Sequence, residues 1–184
     1  MTQNNIHLIL GGARSGKSSF AEQTALDLYA SGKVSQLVYI ATAETKDAEM
    51  AERVSHHRAT RDKRWQVIEE PWHLADTLQK FGGDSCVLID CLTLWLTHGL
   101  CEKSEPELQV QKQRLLEVLQ HTRASVLLVS NEVGHGIVPL GALSRSFVDE
   151  SGWLHQDVAR VADSVVFVMA GLPLTMKRTL EECQ

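Results

Sequence analysis

Gly11-Gly12-Ala13-Arg14-Ser15-Gly16-Lys17-Ser18 is the stretch that decides the fold of this 184-residue chain. It follows the apolar run 6–10 and precedes a helix-prone segment, 19–29. A strand, a glycine-rich loop and a helix in this order form a phosphate-binding P-loop, whose pattern is Gly-x-x-x-x-Gly-Lys-Ser/Thr. The sequence therefore predicts a site for a nucleoside triphosphate.

The chemistry of this loop depends on its residue types. Glycines let backbone N–H groups converge on an anion, and the N-terminus of the following helix adds a positive dipole. Lys17 is expected to reach the β- and γ-phosphates, and the Ser18 hydroxyl to bind Mg²⁺. A glycine-rich turn that matches by chance is the alternative, and the flanking strand and helix argue against it.

Composition restricts the class of protein. The chain has a net charge of −5, 43% hydrophobic and 22% charged residues, which predicts one soluble domain over 1–184 with a peripheral tail from about 172. A negative chain does not suggest a nucleic-acid partner. We expect no signal peptide and no membrane span.

The cysteines form no C-x-x-C pair, and Cys86 and Cys91 flank an apolar strand, which suggests buried thiols in a reducing cytoplasm.

Short apolar runs alternate with helix-like segments along the chain. This order predicts an α/β fold, with a mostly parallel open sheet flanked by helices. The predicted strands are Ile6–Leu10, Leu37–Ala41, Val87–Asp90, Val126–Ser130 and Ser164–Met169, with a weaker one at Trp65–Ile68. The predicted helices are Lys17–Ser31, Asp47–Arg58, Trp72–Phe81, Pro106–Thr122 and Ala142–Val161.

Two segments that follow predicted strands carry polar side chains. Asp90 ends an apolar strand, where an acid in P-loop proteins helps to hold Mg²⁺, although Asp there is also a common turn or cap residue. The segment 131–139 begins Asn131-Glu132 and contains two glycines and a proline. It predicts a shaped loop on the ligand side of the sheet, with a purely structural turn as the alternative.

The adjacent pair His56-His57 is the remaining candidate for chemistry. If Asp47–Arg58 is helical, His57 falls on the apolar stripe with Met50 and Val54. His56 then lies about 100° away on the polar face. The geometry favours a packed role for His57 and a reactive or solvent-facing role for His56.

These motifs in this order resemble the bifunctional adenosylcobinamide kinase / adenosylcobinamide-phosphate guanylyltransferase family of cobalamin biosynthesis. The resemblance rests on the P-loop, the run Val38-Tyr39-Ile40-Ala41-Thr42, the His pair, and Asn131-Glu132-Val133-Gly134, and it runs from about 6 to 171. It implies that a triphosphate, GTP or ATP, phosphorylates the aminopropanol hydroxyl of adenosylcobinamide. It further implies transfer of GMP from GTP to the product through a guanylyl-histidine, giving adenosylcobinamide-GDP.

The resemblance also implies roles for individual residues. The nucleophile falls on His56, and Lys17 assists catalysis. Mg²⁺ is assigned to Ser18 and Asp90, and a homotrimer is implied. The implied nucleotide contacts are Gly11, Gly12, Ala13, Arg14, Ser15, Gly16, Lys17, Ser18, Thr42, Ala43, Glu44, His57, Arg58, Ala59, Thr60, Glu69 and Asp90.

Two other functions remain open on the sequence. An ordinary small-molecule P-loop kinase would leave the His pair structural, and a regulatory NTPase would need a protein partner. The switch-GTPase motif Asn-Lys-x-Asp is missing from the sequence, which disfavours the regulatory NTPase. Asp90 stands where other members of the family carry Glu, so its carboxylate is one methylene shorter.

Overall fold

The structure, a computed structural model, describes residues 6–43 and 63–178. The strands are β1 (Ile6–Gly11), β2 (Gln36–Ala41), β3 (Trp65–Glu69), β4 (Ser85–Asp90), β5 (Ser125–Asn131), β6 (Ser164–Met169) and β7 (Leu172–Arg178). The helices are α1 (Lys17–Ala30), α2 (Leu74–Leu78), α3 (Leu92–Glu102), α4 (Glu105–His121) and α5 (Ala142–Val161).

The seven strands form one sheet in the order β3-β2-β4-β5-β1-β6-β7. All neighbours are parallel except β6 and β7, which are antiparallel. The predicted fold class is confirmed. In a parallel sheet the carboxyl ends of the strands meet at one edge, where α/β proteins bind their ligands. This edge carries the ends of β1, β2, β4 and β5 side by side.

The inner strands are apolar on both faces because helices cover both faces. On one face, buried side chains such as Leu8, Ile40 and Ile89 pack with Trp95 and Leu115 of α3 and α4. On the other face, strand residues including Ile9, Leu88 and Leu127 pack against α1 through Ala21 and Ala25. Alternate residues of a strand point to opposite faces, so two buried faces require nearly continuous apolar runs.

All six predicted strands occur, with ends within two residues of the prediction. Four predicted helices also occur, although Trp72–Phe81 is shorter as α2. The predicted helix Asp47–Arg58 lies outside the described residues. The prediction missed α3 and the edge strand β7. Within the described ranges, no helix has the length and apolarity that crossing a bilayer requires.

Candidate active site

The P-loop connects β1 to α1, and its backbone alternates between right-handed and left-handed conformations. Arg14 has φ 55° and Gly16 has φ 94°, both in the left-handed region. Alternation of right- and left-handed residues turns successive N–H groups toward one point, which makes a concave anion site. The loop ends at the first turn of α1, whose unpaired N–H groups extend the site.

Two glycines of the motif are required by close packing. A Cβ at Gly11 would lie 2.5 Å from both Ser15 Oγ and the Val168 carbonyl oxygen. A Cβ at Gly16 would lie 3.2 Å from the Gly171 Cα, in addition to the strain of its positive φ. The loop is therefore held tightly between its own residues and the end of β6.

A tight hairpin turn supports the P-loop from the side. Ala170 and Gly171 connect β6 to β7, with φ 53° and 78°. Two central residues with positive φ are typical of the type I′ turn that joins antiparallel strands. The Gly171 N–H donates to the Ser15 carbonyl at 2.8 Å. The hairpin is thus part of the framework that shapes the phosphate site.

Two polar side chains of the loop, Lys17 and Ser15, lie within its concave face. Lys17 is only 8% exposed, and its Nζ donates to the Gly12 carbonyl at 3.1 Å, which keeps the ammonium within the loop. The buried Ser15 Oγ has no hydrogen-bond partner among the described residues. Buried hydroxyls are normally paired, so an unpaired one in this loop suits a ligand oxygen.

A chain of hydrogen bonds links the neighbouring strand ends. The Thr42 hydroxyl, after β2, donates to the Cys91 carbonyl and accepts from the Cys91 N–H, each at 2.8 Å. The Thr93 hydroxyl lies 3.0 Å from Cys91 Sγ and accepts from the Asn131 amide at 3.1 Å. Thr42, Cys91, Thr93 and Asn131 therefore fix the ends of three strands to one another.

Asp90 is half-buried at the end of β4. Its Oδ2 accepts from the Tyr39 hydroxyl at 2.9 Å. No other side-chain hydrogen bond to this carboxylate is found within the described ranges, so Oδ1 is available to a ligand. The hydrogen bond from Tyr39 restricts the orientation of this carboxylate at the carboxyl end of β4.

The donor set fits a magnesium ion held together with phosphates. Mg²⁺ in nucleotide sites usually has one or two protein ligands and completes its shell with phosphate oxygens and water. The Ser18 hydroxyl and the oriented Asp90 carboxylate are oxygen donors of this kind. The described residues contain no cluster of three or more His, Cys, Asp or Glu that would hold a metal without a nucleotide.

Two buried cysteines, Cys86 at the amino end of β4 and Cys91 just after its carboxyl end, are inert thiols. Burial raises the pKa of Cys86 to about 12. Burial, with the Asp90 charge as a second cause, also raises the pKa of Cys91. Both thiols are free and buried, as predicted, and both stay protonated at neutral pH. Cys91 thus contributes packing and backbone hydrogen bonds to the site.

The structure brings most of the described predicted residues to one edge of the sheet. The P-loop, Thr42, Ala43, Asp90, Asn131 and Glu132 all follow or end strands β1, β2, β4 and β5. Glu69 is exposed at the end of the outer strand β3. The predicted residues Glu44, His56, His57, Arg58, Ala59 and Thr60 lie outside the described residues.

Sequence reasoning missed four residues of this site, namely Cys91, Thr93, Gly171 and His155 of α5, whose Nε2 lies 2.7 Å from Ser130 Oγ at the end of β5. The Ala-Gly pair after β6 was a usable turn signal for Gly171. Thr93 and His155 gave no such signal, because their partners lie 38 and 25 positions away along the chain.

Comparison with known proteins identifies the family. A family model described as cobinamide kinase / cobinamide phosphate guanyltransferase matches residues 7–176. The chain belongs to this family. It is therefore an enzyme of cobalamin biosynthesis with a nucleotide-binding P-loop fold.

Curated relatives agree with the family assignment. A bifunctional adenosylcobalamin biosynthesis protein, CobP of Pseudomonas aeruginosa, is 48% identical over 171 residues, covering 92% of this chain and 96% of that protein. The bifunctional protein CobU of Escherichia coli is 35% identical over 184 residues, covering 92% and 98%. That of Salmonella typhimurium is 36% identical over 185 residues, with the same coverage.

Solved structures support the fold alone. An ATPase domain of known structure superposes with a TM-score of 0.56 at 16% identity, covering 97% of this chain and 78% of that chain. The flagellar accessory protein FlaH of Methanocaldococcus jannaschii gives a TM-score of 0.54 at 10% identity, covering 97% and 80%. At these identities the likeness lies in the arrangement of the sheet and its helices.

Proposed function

We propose that this enzyme catalyses two transfers at the P-loop edge of the sheet. In the first, the γ-phosphoryl group of ATP or GTP is transferred to the aminopropanol hydroxyl of adenosylcobinamide. In the second, GMP from GTP is transferred to the resulting phosphate, giving adenosylcobinamide-GDP. The preformed phosphate loop, with Lys17 buried inside it, is the observation that carries this proposal.

The first transfer is a displacement at the γ-phosphorus. The acceptor oxygen forms a bond to phosphorus, the bond from phosphorus to the β,γ-bridging oxygen breaks, and the nucleoside diphosphate leaves. Lys17 and the loop N–H groups donate to the phosphate oxygens, which stabilises the charge on the leaving group. Ser18 and Asp90 would hold Mg²⁺, which supplies further neutralisation of phosphate charge.

The second transfer uses a covalent intermediate on His56. A neutral imidazole nitrogen attacks the α-phosphorus of GTP, a P–N bond forms, and pyrophosphate leaves. The phosphate of the acceptor then attacks the same phosphorus, and the P–N bond breaks. Neutral imidazole is a competent nucleophile near pH 7. The assignment to His56 rests on the family motif and on its position on the polar face of the predicted helix.

The proposed nucleotide contacts extend beyond the P-loop. Thr42, Ala43 and Glu44 follow β2, and His57–Thr60 follow the nucleophile in sequence. Thr42 is buried and held by Cys91, so its own hydroxyl is occupied by the framework. We therefore assign Thr42 the role of shaping the strand end, with contacts to nucleotide through the backbone. Two buried free thiols suit a reducing compartment, so we assign the reactions to the cytoplasm.

The oligomer that we propose is a homotrimer. Large apolar side chains are exposed on two segments of the chain, which suits burial against another copy. These are Ile137, Val138, Leu140 and Leu143 before and in α5, and Met169, Leu172, Leu174 and Met176 on the edge hairpin.

Sedimentation velocity tests the trimer. We expect about three times the chain mass of 20.4 kDa for the wild type. The L172D/L174D variant should sediment as a monomer with an unchanged far-UV circular dichroism spectrum, because two charges cannot be buried at an apolar contact without a large cost. A wild type that sediments as a monomer at micromolar concentration would contradict the proposal.

The two reactions can be tested one after the other. Purified enzyme with adenosylcobinamide and ATP should give adenosylcobinamide phosphate and ADP, and addition of GTP should then release pyrophosphate. Phosphoryl transfer without any guanylyl transfer would favour an ordinary P-loop kinase. Triphosphate hydrolysis without transfer to the corrinoid would contradict both activities.

A further inference from the structure

Beside the P-loop lie three neighbouring polar side chains to which the proposed reactions assign no role: the buried Ser130 and His155 and the half-buried Glu132. Ser130 is the second-last residue of β5 and is 1% exposed. His155, from α5, is 6% exposed, and its Nε2 lies 2.7 Å from Ser130 Oγ. On the other side of the ring, His155 Nδ1 lies 3.5 Å from Glu132 Oε2.

The partners of the imidazole determine its tautomer. The 3.5 Å separation of Nδ1 from Glu132 Oε2 is longer than a hydrogen bond, but the carboxylate oxygen favours the tautomer with the proton on Nδ1. Burial, the largest cause, lowers the pKa of His155, whereas the Glu132 charge opposes it. The ring is therefore neutral at pH 7, and its Nε2 accepts from the Ser130 hydroxyl.

The Glu132 carboxylate is held from two directions. Its Oε1 accepts from the Gly134 N–H at 2.6 Å, and its Oε2 faces His155 Nδ1. The side chain is 20% exposed, so its outer edge reaches solvent while its inner contacts fix its direction. Contacts of this kind hold a functional side chain in one orientation.

The location of Glu132 connects it to the phosphate loop. The Glu132 N–H donates to the carbonyl of Gly11, the first residue of the P-loop motif, at 3.1 Å. Gly11 and Asn131 are register partners in the parallel pair β1 and β5. Glu132 therefore lies next to the loop at the ligand edge of the sheet. Asp90 lies across β5 from β1, on the neighbouring strand β4.

We propose that Glu132 is the base that accepts the proton of the acceptor hydroxyl during phosphoryl transfer, and that His155 is a positioning residue for it. The acceptor O–H bond breaks and its proton passes to a Glu132 oxygen. The acceptor oxygen bonds to the γ-phosphorus, and the diphosphate leaves. Glu132 then returns the proton to solvent. This inference rests on the proposed kinase activity, and it gives the two carboxylates of the site separate roles.

Glu132→Gln tests the base. The amide keeps an oxygen for the Gly134 N–H but removes the proton acceptor. We expect kcat for phosphorylation of adenosylcobinamide to fall about 100-fold or more, with KM for ATP changed less than about threefold. Transfer of GMP to separately prepared adenosylcobinamide phosphate should stay within about threefold of wild type, and it also reports that the variant is folded. Asp149→Asn, an exposed change on α5, is the matched control for loss of one charge.

The positioning role of His155 has its own readout. His155→Leu removes the ring nitrogen that faces Glu132 and should lower kcat of phosphorylation about tenfold without raising KM, and His155→Gln, which can present an N–H group there, should recover most of the loss. Full phosphorylation activity of Glu132→Gln would overturn the proposal. So would equal losses of both transfers in Glu132→Gln, since this is the result expected of a structural residue. Failure of the wild type to phosphorylate adenosylcobinamide would instead contradict the proposed function.

Discussion

At the scale of single residues, the P-loop could be predicted because its chemistry is local. Gly11, Gly16 and Lys17 act through backbone shape and one ammonium group within a single short motif. The contacts of Thr93 and His155 could not be predicted, because they depend on which strands become neighbours. Glu132 was partly predictable: the sequence indicates a polar loop residue, but its two partners, Gly134 and His155, are known only from the fold.

Lys17→Ala tests the phosphate loop. Removal of the ammonium takes away charge stabilisation at the phosphates that both reactions share, so kcat of each transfer should fall about 100-fold or more. Steady-state rates of both transfers measure this, with the exposed Lys33→Ala as a control for loss of one positive charge. A variant that retains wild-type activity in either transfer would remove Lys17 from that reaction.

At the scale of elements, the prediction succeeded where the hydrophobic pattern is simple. The buried parallel strands β1, β2, β4, β5 and β6 are apolar nearly throughout and were found, and the more exposed β3 was found as a weaker run. The helix α3 was missed because Leu92-Thr93-Leu94-Trp95-Leu96 is apolar nearly all round and lacks the amphipathic period of a surface helix. The edge strand β7 was missed because its side chains are mostly exposed and Pro173 interrupts the pattern.

The packing of α4 against α5 includes a buried ion pair that provides a test at this scale. Lys112 Nζ lies 2.6 Å from Glu150 Oε2, with the side chains only 7% and 13% exposed. Lys112→Met leaves the Glu150 charge without its ion-pair partner and with only the longer hydrogen bonds from the Gln109 amide, at 3.3 and 3.4 Å, which should lower the free energy of unfolding by about 3 kcal/mol. The double change K112M/E150M removes both charges and should recover most of that loss.

Urea denaturation of the two variants at equal protein concentration measures the difference. The exposed pair of Arg160 and Asp157 on α5 is the control, and Arg160→Ala should cost less than about 1 kcal/mol. A double variant as unstable as Lys112→Met would mean that the loss comes from the packing of the aliphatic parts of Lys112 and Glu150 and not from the unpaired charge.

At the scale of the whole molecule, the half-buried His7 and the buried His155 make stability depend on pH. Burial lowers the pKa of His7, with the Asp163 charge opposing it, and burial likewise lowers the pKa of His155. Below about pH 6.5 the unfolded chain binds protons that the folded chain does not. Stability should therefore fall as pH decreases below 6.5, by at most about 1.4 kcal/mol per pH unit for each histidine.

Denaturant unfolding at about pH 7.5 and about pH 5.5 checks this sign. His7→Asn and His155→Asn should each reduce the loss of stability between the two values, and the exposed His121→Asn should not. If neither the His7 nor the His155 substitution changes the difference, carboxylates and not these histidines determine the acid sensitivity.

The most direct test of the account is whether the chain carries GMP on His56. Purified enzyme is incubated with Mg²⁺ and GTP labelled on the α-phosphate, denatured, and mapped by peptide analysis. We predict label on His56 that is lost in acid but stable in alkali, as a P–N bond requires, and its absence in His56→Ala but not in His57→Ala. Denatured wild-type protein without label, in a preparation that binds GTP and transfers GMP to adenosylcobinamide phosphate, would contradict the covalent mechanism.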